Sequence, residues 1–316
     1  MKFNLFPFKK TQFNTPWFVW YISITIIAQF FLINYKDHFH TINPETFILF
    51  GAPDTVSIYD GQFWGVFTNN FIHIYWSQLL INLIGIWLFG AFIERREGVL
   101  KLLLLTFTAS LIPTLWQLTL TASPGIGLSA VNYTLFGYIL TKSRFDESFK
   151  LKGRYVILIF MIGLLVYLSY YNAVIEDVFK TEAMIIGILL GLLIGLLSDK
   201  NKWLRFSILF VLFTISVSTL FYAPWSPEWL VYKGVKAHES KNYLRAIKFY
   251  KKALKIDKDN EQAQENLNLL EIDKLKIKAY KEHVAKNYDK ARKIYLQIIE
   301  IEPEDEWTLT NLKELP

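Results

Sequence analysis

Ser129 is the residue of this sequence whose surroundings most clearly suggest chemistry. It lies in the stretch GIGLSAVNY, residues 125–133, and an apolar segment follows at once. A serine in such a place is either a nucleophile or a small residue that lets two helices approach each other. Because a serine nucleophile needs a neighbouring base to take its proton, the elements around Ser129 decide between the two interpretations.

Those elements are predicted to be membrane-spanning helices. Hydrophobic residues make up 53% and aromatic residues 17% of the 316 residues, a composition that is too apolar for an ordinary soluble enzyme. Charged or turn residues bound each apolar stretch of membrane length. The predicted spans are residues 17–33, 76–93, 99–120, 126–140, 155–171, 183–197 and 203–222.

The sequence therefore predicts an all-α polytopic membrane protein. We expect a cytoplasmic segment at residues 1–16, a membrane domain of six spans plus a seventh at 17–223, and a small helical domain at 226–316. Lys and Arg are concentrated before span one and after spans two, four and six. This pattern indicates a cytoplasmic N-terminus. We expect the protein in the plasma (inner) membrane. Seven spans place the C-terminal domain outside the cytoplasm, unless residues 203–222 only lie on the membrane.

Span four has unusual features. Its fifteen predicted residues, 126–140, are fewer than the roughly twenty that cross a bilayer. The preceding residues 123–127 are rich in glycine, and irregular backbone at membrane depth is tolerated where it is packed or lines a wet cavity. The start of a helix at this depth presents free backbone N–H groups, which can hold an oxyanion beside Ser129.

The residues around Ser129 and in span two resemble motifs of the rhomboid intramembrane serine proteases. GLSAVNYTLFGY, residues 127–138, resembles the nucleophile segment of that family, with Ser129 at the nucleophile. Residues 67–85 resemble the family's span-two signature, His-x3-His-x4-His-x3-Asn, and the loop after span two resembles Glu-x-Arg-x-Gly. In this sequence these positions read Asn69, His73, Gln78 and Asn82, then Glu94, Arg96 and Gly98.

Span six resembles the family motif Ala-His-x2-Gly-x3-Gly with one substitution. Ala183, Gly187 and Gly191 are in register, but Met184 stands where the catalytic histidine is expected. The resemblance implies a Ser-His dyad that cleaves a peptide bond of a transmembrane substrate, with an oxyanion held by backbone N–H groups and span-two side chains. A thioether cannot usefully take the serine proton. The glycines have a simpler interpretation, which is close contact between helices.

The resemblance gives two hypotheses of function. The favoured one is a rhomboid pseudoprotease that binds transmembrane or membrane-proximal protein clients. The alternative is an intramembrane serine endopeptidase with Ser129 as the nucleophile. We expect neither a metal nor a cofactor. The site residues are Ser129 and Met184 at the catalytic positions, with Asn82, Gln78, His73, Tyr133 and Gly127 lining the site.

Bases from elsewhere in the chain are scarce. The histidines are His38, His40, His73, His238 and His283, so no imidazole lies on spans three to seven. Lys180 lies one helical turn before Met184 and is the remaining candidate. Acidic neighbours such as Glu176, Asp177 and Glu182 favour its charged form, which is not basic.

The C-terminal domain contains an internal repeat. Residues 241–260 resemble residues 286–305, with Tyr243, Ala246, Tyr250 and Ile256 recurring at Tyr288, Ala291, Tyr295 and Ile301. The pattern resembles tetratricopeptide repeats, but its offset of 45 exceeds the usual ~34. The eleven extra residues predict one elongated helix over 262–285. We expect a protein or peptide partner for this domain and no nucleic acid, since no basic stripe with interleaved aromatic residues is evident.

Overall fold

A computed structural model describes residues 15–36, 44–121, 123–151, 153–174 and 181–316. Within these ranges the chain is helical and forms no β-sheet, which confirms the predicted all-α class. The chain divides after Ala223 into two compact units. The segment 1–14, His38, His40 and Lys180 lie outside the described residues.

The first unit is a bundle of eleven described helices. The helices of the seven predicted spans run close to the predicted bounds, except that span two is interrupted by a π-helical turn at Ile86–Gly90. The helices are α1 (Trp17–Lys36), α2 (Pro44–Leu49), α3 (Thr55–Tyr59), α4 (Gly65–Thr68), α5 (Trp76–Gly85), α6 (Ala91–Glu97), α7 (Val99–Leu120), α8 (Ser129–Lys142), α9 (Arg154–Val174), α10 (Thr181–Leu197) and α11 (Lys202–Ser218).

The first unit is a multi-pass membrane structure. Among the described residues, α1, the stretch Trp76–Glu97 and α7 are each long and apolar enough to cross a bilayer, and Ile157–Tyr171 and Thr181–Leu197 are shorter apolar helices. Large apolar side chains cover its outer surface, as on α9, where Ile159 is 71% exposed. An apolar surface of this kind is suited to lipid rather than water.

Helices α8 and α10 form the centre of the bundle and lie closer together than ordinary side chains permit. A Cβ atom at Gly187 would lie 2.6 Å from the carbonyl oxygen of Ala130, and one at Gly191 would collide with the carbonyl of Thr134. Because the contacts advance in the same direction along both helices, α8 and α10 run parallel. The prediction that these glycines permit close helix contact is confirmed.

Polar contacts help to tie outer helices to the bundle. Glu94 of α6 is buried and accepts hydrogen bonds from the backbone N–H groups of Phe18 and Val19, at 2.9 and 3.1 Å. A carboxylate at this end of α1 satisfies free donors and complements the helix dipole. On the other side of the bundle, the Trp116 indole of α7 donates to the Ser216 hydroxyl of α11 at 3.1 Å.

The second unit consists of two helical hairpins and a final helix. Its helices are α12 (Pro227–Glu239), α13 (Tyr243–Ile256), α14 (Glu261–Val284), α15 (Tyr288–Ile301) and α16 (Glu306–Lys313). The elongated helix predicted over 262–285 is confirmed by α14. Lys241 and Lys286, which are 45 residues apart, both have a positive φ in the turn between paired helices, 61° and 62°.

The cores of the two hairpins are built alike. The ring of Tyr250 fills the space beside Gly234, where a Cβ atom would collide with it, and burial raises the pKa of Tyr250 to about 12. At the positions 45 residues later, Ala279 and Tyr295 are also fully buried. A tyrosine packed against a small residue of the neighbouring helix is therefore the shared core of both hairpins. The tetratricopeptide assignment stays a prediction.

Candidate functional site

Helix α8 begins at Ser129, three residues later than the sequence predicts for span four. Gly127 has φ +94°, in the region that favours glycine, and this conformation turns the chain into the helix. The turn is held because the Gly127 N–H donates to the Asn69 carbonyl at 3.0 Å. The irregular backbone predicted before Ser129 is present, and it is packed against span two.

The imidazole of His73 is fully buried and shapes this loop. Its Nε2 atom accepts the backbone N–H of Leu128 at 3.4 Å and lies 3.0 Å from the Asn82 side-chain nitrogen. Because Nε2 accepts, the proton of the neutral ring is on Nδ1, which donates to the Phe71 carbonyl at 3.1 Å. Both ring nitrogens are therefore engaged beside the residue that precedes Ser129.

The two span-two amides beside the loop are also engaged. Gln78 donates from Nε2 to the Ile126 carbonyl at 3.1 Å and accepts the Ile74 N–H at 3.2 Å. A Cβ atom at Gly127 would lie 2.7 Å from Gln78 Nε2 and 3.3 Å from Asn82 Nδ2. Each side-chain amide has a second N–H, so both residues keep one donor beyond these contacts.

Ser129, Asn82, Gln78, Tyr133 and Met184 line one cavity of about 510 Å³ between α5, α8 and α9. The structure therefore brings these predicted site residues together. Apolar side chains of α9 form most of the opposite wall. In the described part of the chain, the Ser129 hydroxyl makes no hydrogen bond, and no histidine lines this cavity.

Met184 occupies the α10 side of the cavity and is 1% exposed. The N-terminal end of α10 is fixed because the Ala183 N–H donates to Gln117 Oε1 at 3.0 Å. Helices α8 and α10 run parallel, and Gly187 of α10 lies against Ala130 of α8. Met184 lies about one turn before Gly187 on α10, so it is level with the start of α8. Apolar mass fills this position, where the rhomboid resemblance expects an imidazole.

Two features of the cavity were not predicted from the sequence. Asn132 is buried, donates to the backbone and side-chain oxygens of Asn82 at 3.1 Å, and lines the cavity. Its own Oδ1 has no hydrogen-bond partner among the described residues. The spacing of Asn132 is a signal that could have found it, because residues three apart share one face of a helix and Asn132 follows Ser129 by three.

The second feature is a hydrogen bond of Tyr133. Its hydroxyl donates to the Met161 carbonyl at 2.6 Å, which ties α8 to α9.

The loop motif after span two has a structural role. Glu94 holds the start of α1, while Arg96 donates to the Ser148 carbonyl at 2.7 Å and lies over the Phe92 ring, 3.5 Å from its centroid. No group of three or more His, Asp or Glu side chains in the described ranges is placed to hold a metal ion.

Comparisons with known proteins match the part of the chain that contains this cavity. The family model described as Rhomboid domain matches residues 60–201. The chain is 29% identical over 145 residues to "Rhomboid protease GlpG" of Haemophilus influenzae, a match that covers 45% of this chain and 73% of the relative. Residues 60–201 of this multi-pass membrane protein therefore match the rhomboid family.

Two further rhomboid relatives extend the comparison. "Rhomboid protease GluP" of Bacillus subtilis is 26% identical over 155 residues, which cover 48% of this chain but only 30% of the relative. "Rhomboid protease GlpG" of Klebsiella pneumoniae is 29% identical over 147 residues, which cover 46% of this chain and 51% of the relative. The rhomboid match ends at residue 201, so it contains the cavity but not the C-terminal unit.

Proposed function

We propose that this rhomboid-family protein binds transmembrane or membrane-proximal protein clients in the Ser129 cavity and is impaired as a protease. One observation carries the proposal. Within the described residues, Ser129 lacks a hydrogen-bonded base, and the α10 position where the family places its histidine is Met184. A serine hydroxyl without a base is a weak nucleophile at neutral pH.

His73 does not supply the missing base in this proposal. Its Nε2 lone pair already faces the donors of Leu128 and Asn82, and its Nδ1 carries a proton. To accept a proton from Ser129, the ring would have to give up contacts that hold the turn before α8. That change leaves buried donors unpaired, at about 1–3 kcal/mol for each.

The cavity retains features that suit binding of an extended peptide segment. Gln78 and Asn82 each keep one amide N–H, and the first backbone N–H groups of α8 have no partner within the helix. These donors can hold a peptide carbonyl. A volume of about 510 Å³ is in the range of ligand-binding pockets and suits a few residues rather than a whole helix.

The alternative is an intramembrane serine endopeptidase with Ser129 as the nucleophile. Its support is the same set of retained donors beside Ser129, because they match the electrostatic half of an acyl-transfer site. The base in this alternative would come from Lys180. Lys180 lies outside the described residues, and the described helix α10 begins at the next residue, Thr181.

A cross-linking experiment tests the client-binding proposal. A photoreactive phenylalanine analogue replaces Leu164, which lines the cavity, or Ile159, which faces outward from the same helix. The reporter protein has one transmembrane helix, and we expect it to cross-link more strongly from position 164 than from position 159. The Ser129→Ala variant should show the same cross-linking. We expect no cleavage fragments of the reporter. Fragments that disappear in Ser129→Ala would favour the endopeptidase. Equal cross-linking from both positions would contradict client binding in the cavity.

The proposal also includes the location of the protein, which is the plasma (inner) membrane with the N-terminus in the cytoplasm. The C-terminal unit lies outside the cytoplasm, where it binds a protein or peptide partner. The support is the distribution of basic loops and the apolar surface of α11.

A labelling experiment tests this orientation. The chain has no cysteine, so Lys313→Cys introduces the single thiol that the test needs. We expect a membrane-impermeant thiol reagent to label it in intact cells. Labelling that requires permeabilised cells would contradict this orientation.

A further inference from the structure

The outer face of α13 differs in charge from every other helix of the C-terminal unit. Its fourteen residues contain five basic side chains and no acidic one, and all five are exposed. They are Arg245, Lys248, Lys251, Lys252 and Lys255. The rest of the unit, residues 224–242 and 257–316, has 13 basic and 16 acidic side chains, so positive charge is concentrated on this single helix.

The second hairpin provides an internal comparison for this face. Helix α15 has the same length and register 45 residues later, but it carries Asp289 and Glu300 beside three basic residues. Lys252 is replaced by Gln297 and Lys255 by Glu300. Because the hairpin core is the same in both repeats, the basic face of α13 is not required by the fold.

The basic side chains of α13 are exposed and take no part in the ion pairs of the unit. Ion pairs elsewhere in the unit involve Lys236, His238 and Lys276, but none in the described structure involves a basic residue of α13. Two large apolar side chains accompany the charges: Leu244 is 81% exposed and Ile256 is 51% exposed.

We propose that the α13 face, defined as Leu244, Arg245, Lys248, Lys252, Lys255 and Ile256, docks on an anionic lipid surface. Basic side chains are attracted to anionic headgroups, and exposed leucine and isoleucine side chains insert between them. The unit follows a membrane-embedded bundle, and only residues 219–226 separate α11 from α12. This short connection keeps headgroups at a high effective concentration around the domain.

The test uses the full chain in lipid nanodiscs with a fluorescent probe on one introduced cysteine. Ile256→Cys places the probe on the α13 face, and Ile301→Cys places it at the equivalent position of α15, where the native isoleucine is 46% exposed. The discs contain phosphatidylcholine alone or with an equal amount of phosphatidylglycerol. The readouts are the emission maximum and quenching by acrylamide, which is uncharged.

We expect phosphatidylglycerol to shift the emission at position 256 to the blue and to protect it from acrylamide, with little change at 301. Adding Lys248→Gln and Lys252→Gln should weaken this effect by about fivefold for each lysine removed. High salt should weaken it as well, since it screens the headgroup charge. Circular dichroism of each variant provides the control for folding.

Three results would overturn the proposal. The first is equal protection at positions 256 and 301, which would show that the basic charge of α13 has no role. The second is no lipid dependence at position 256. The third is protection at 256 in phosphatidylcholine discs by added polyglutamate but not by phosphatidylglycerol, which would make the face a docking site for an acidic protein segment.

Discussion

The two sides of the Ser129 cavity are built by different physical means. On the span-two side, His73, Asn82 and Gln78 form a connected set of hydrogen bonds to the loop before α8. On the span-six side, α10 contacts α8 through glycines, and the side chain beside the cavity is the apolar Met184. Under the proposed function, the donor half of a serine protease site is retained, while the base half is replaced.

On the same proposal, this difference explains why residues that match a catalytic motif remain in a site without a base. The polar residues of span two hold the turn at Gly127 and the start of α8, so their loss would cost stability whether or not catalysis occurs. Met184 belongs to the apolar core and makes no hydrogen bond to the loop, so an apolar side chain of similar volume can take its place. Retention of His73 and Asn82 is therefore weak support for proteolysis.

The largest effect is expected where α10 has no space for a side chain. Gly191→Leu should destabilise the bundle by more than about 3 kcal/mol, because its Cβ collides with the backbone carbonyl of Thr134 and backbone cannot easily shift. Gly163→Leu is the matched control, since no atom lies within 4 Å of a Cβ at that position of α9. Unfolding in detergent measures both. Equal stability of the two variants would contradict the glycine contact.

A smaller effect is expected from removing the centre of the polar side. His73→Ala should lower the free energy of unfolding by about 2–4 kcal/mol, since it leaves the buried donors of Leu128 and Asn82 without an acceptor. Met184→Leu, a substitution that nearly conserves volume, should cost less than about 1.5 kcal/mol. Unfolding in detergent again gives both values. If the methionine variant were the less stable of the pair, the proposed division of tasks between the two sides would be wrong.

The smallest effect on stability is expected at Asn132. Asn132→Val removes two hydrogen bonds to Asn82 but also removes an unpaired buried oxygen, so the net cost should be about 1 kcal/mol. We expect cross-linking of the reporter from position 164 to fall in this variant, because Asn132 lines the cavity and fixes the Asn82 side chain there. Unchanged cross-linking would mean that clients do not use Asn132.

The sequence predicts the helices of this site better than its hydrogen bonds. Hydropathy places the helices of the predicted spans, and the spacing of Gly187 and Gly191 predicts the close contact of α10 with a neighbouring helix. Both signals depend on residues near each other in the chain. The apolar pattern places the start of α8 too early, since that start depends on contacts of Gly127 and Ile126 with span two, about fifty residues away in the chain. A hydropathy pattern depends only on neighbouring residues, so it cannot predict such contacts.

The hydrogen-bond partners of buried polar side chains are equally difficult to predict from the sequence. Asn132 lies inside an apolar helix and acquires its role only because Asn82 lies opposite it. The bond from Tyr133 to the Met161 carbonyl likewise depends on the packing of α9 against α8. In the C-terminal unit the prediction depends less on distant contacts, because the offset of the repeat predicts a long helix over residues 262–285. The structure has α14 there.

Reactivity of Ser129 with a fluorophosphonate tests the central claim most directly, because the reagent labels a serine only when it is activated. We expect wild-type protein in detergent to be labelled no more than Ser129→Ala. Met184→His should gain weak labelling that requires Ser129, because the new imidazole can act as its base. The labelling should stay weak because the oxyanion donors already make other hydrogen bonds, and each poorly placed donor lowers the rate by about 10². Strong labelling of the wild type, abolished by Ser129→Ala, would contradict the account and show that a base other than the α10 histidine activates this serine.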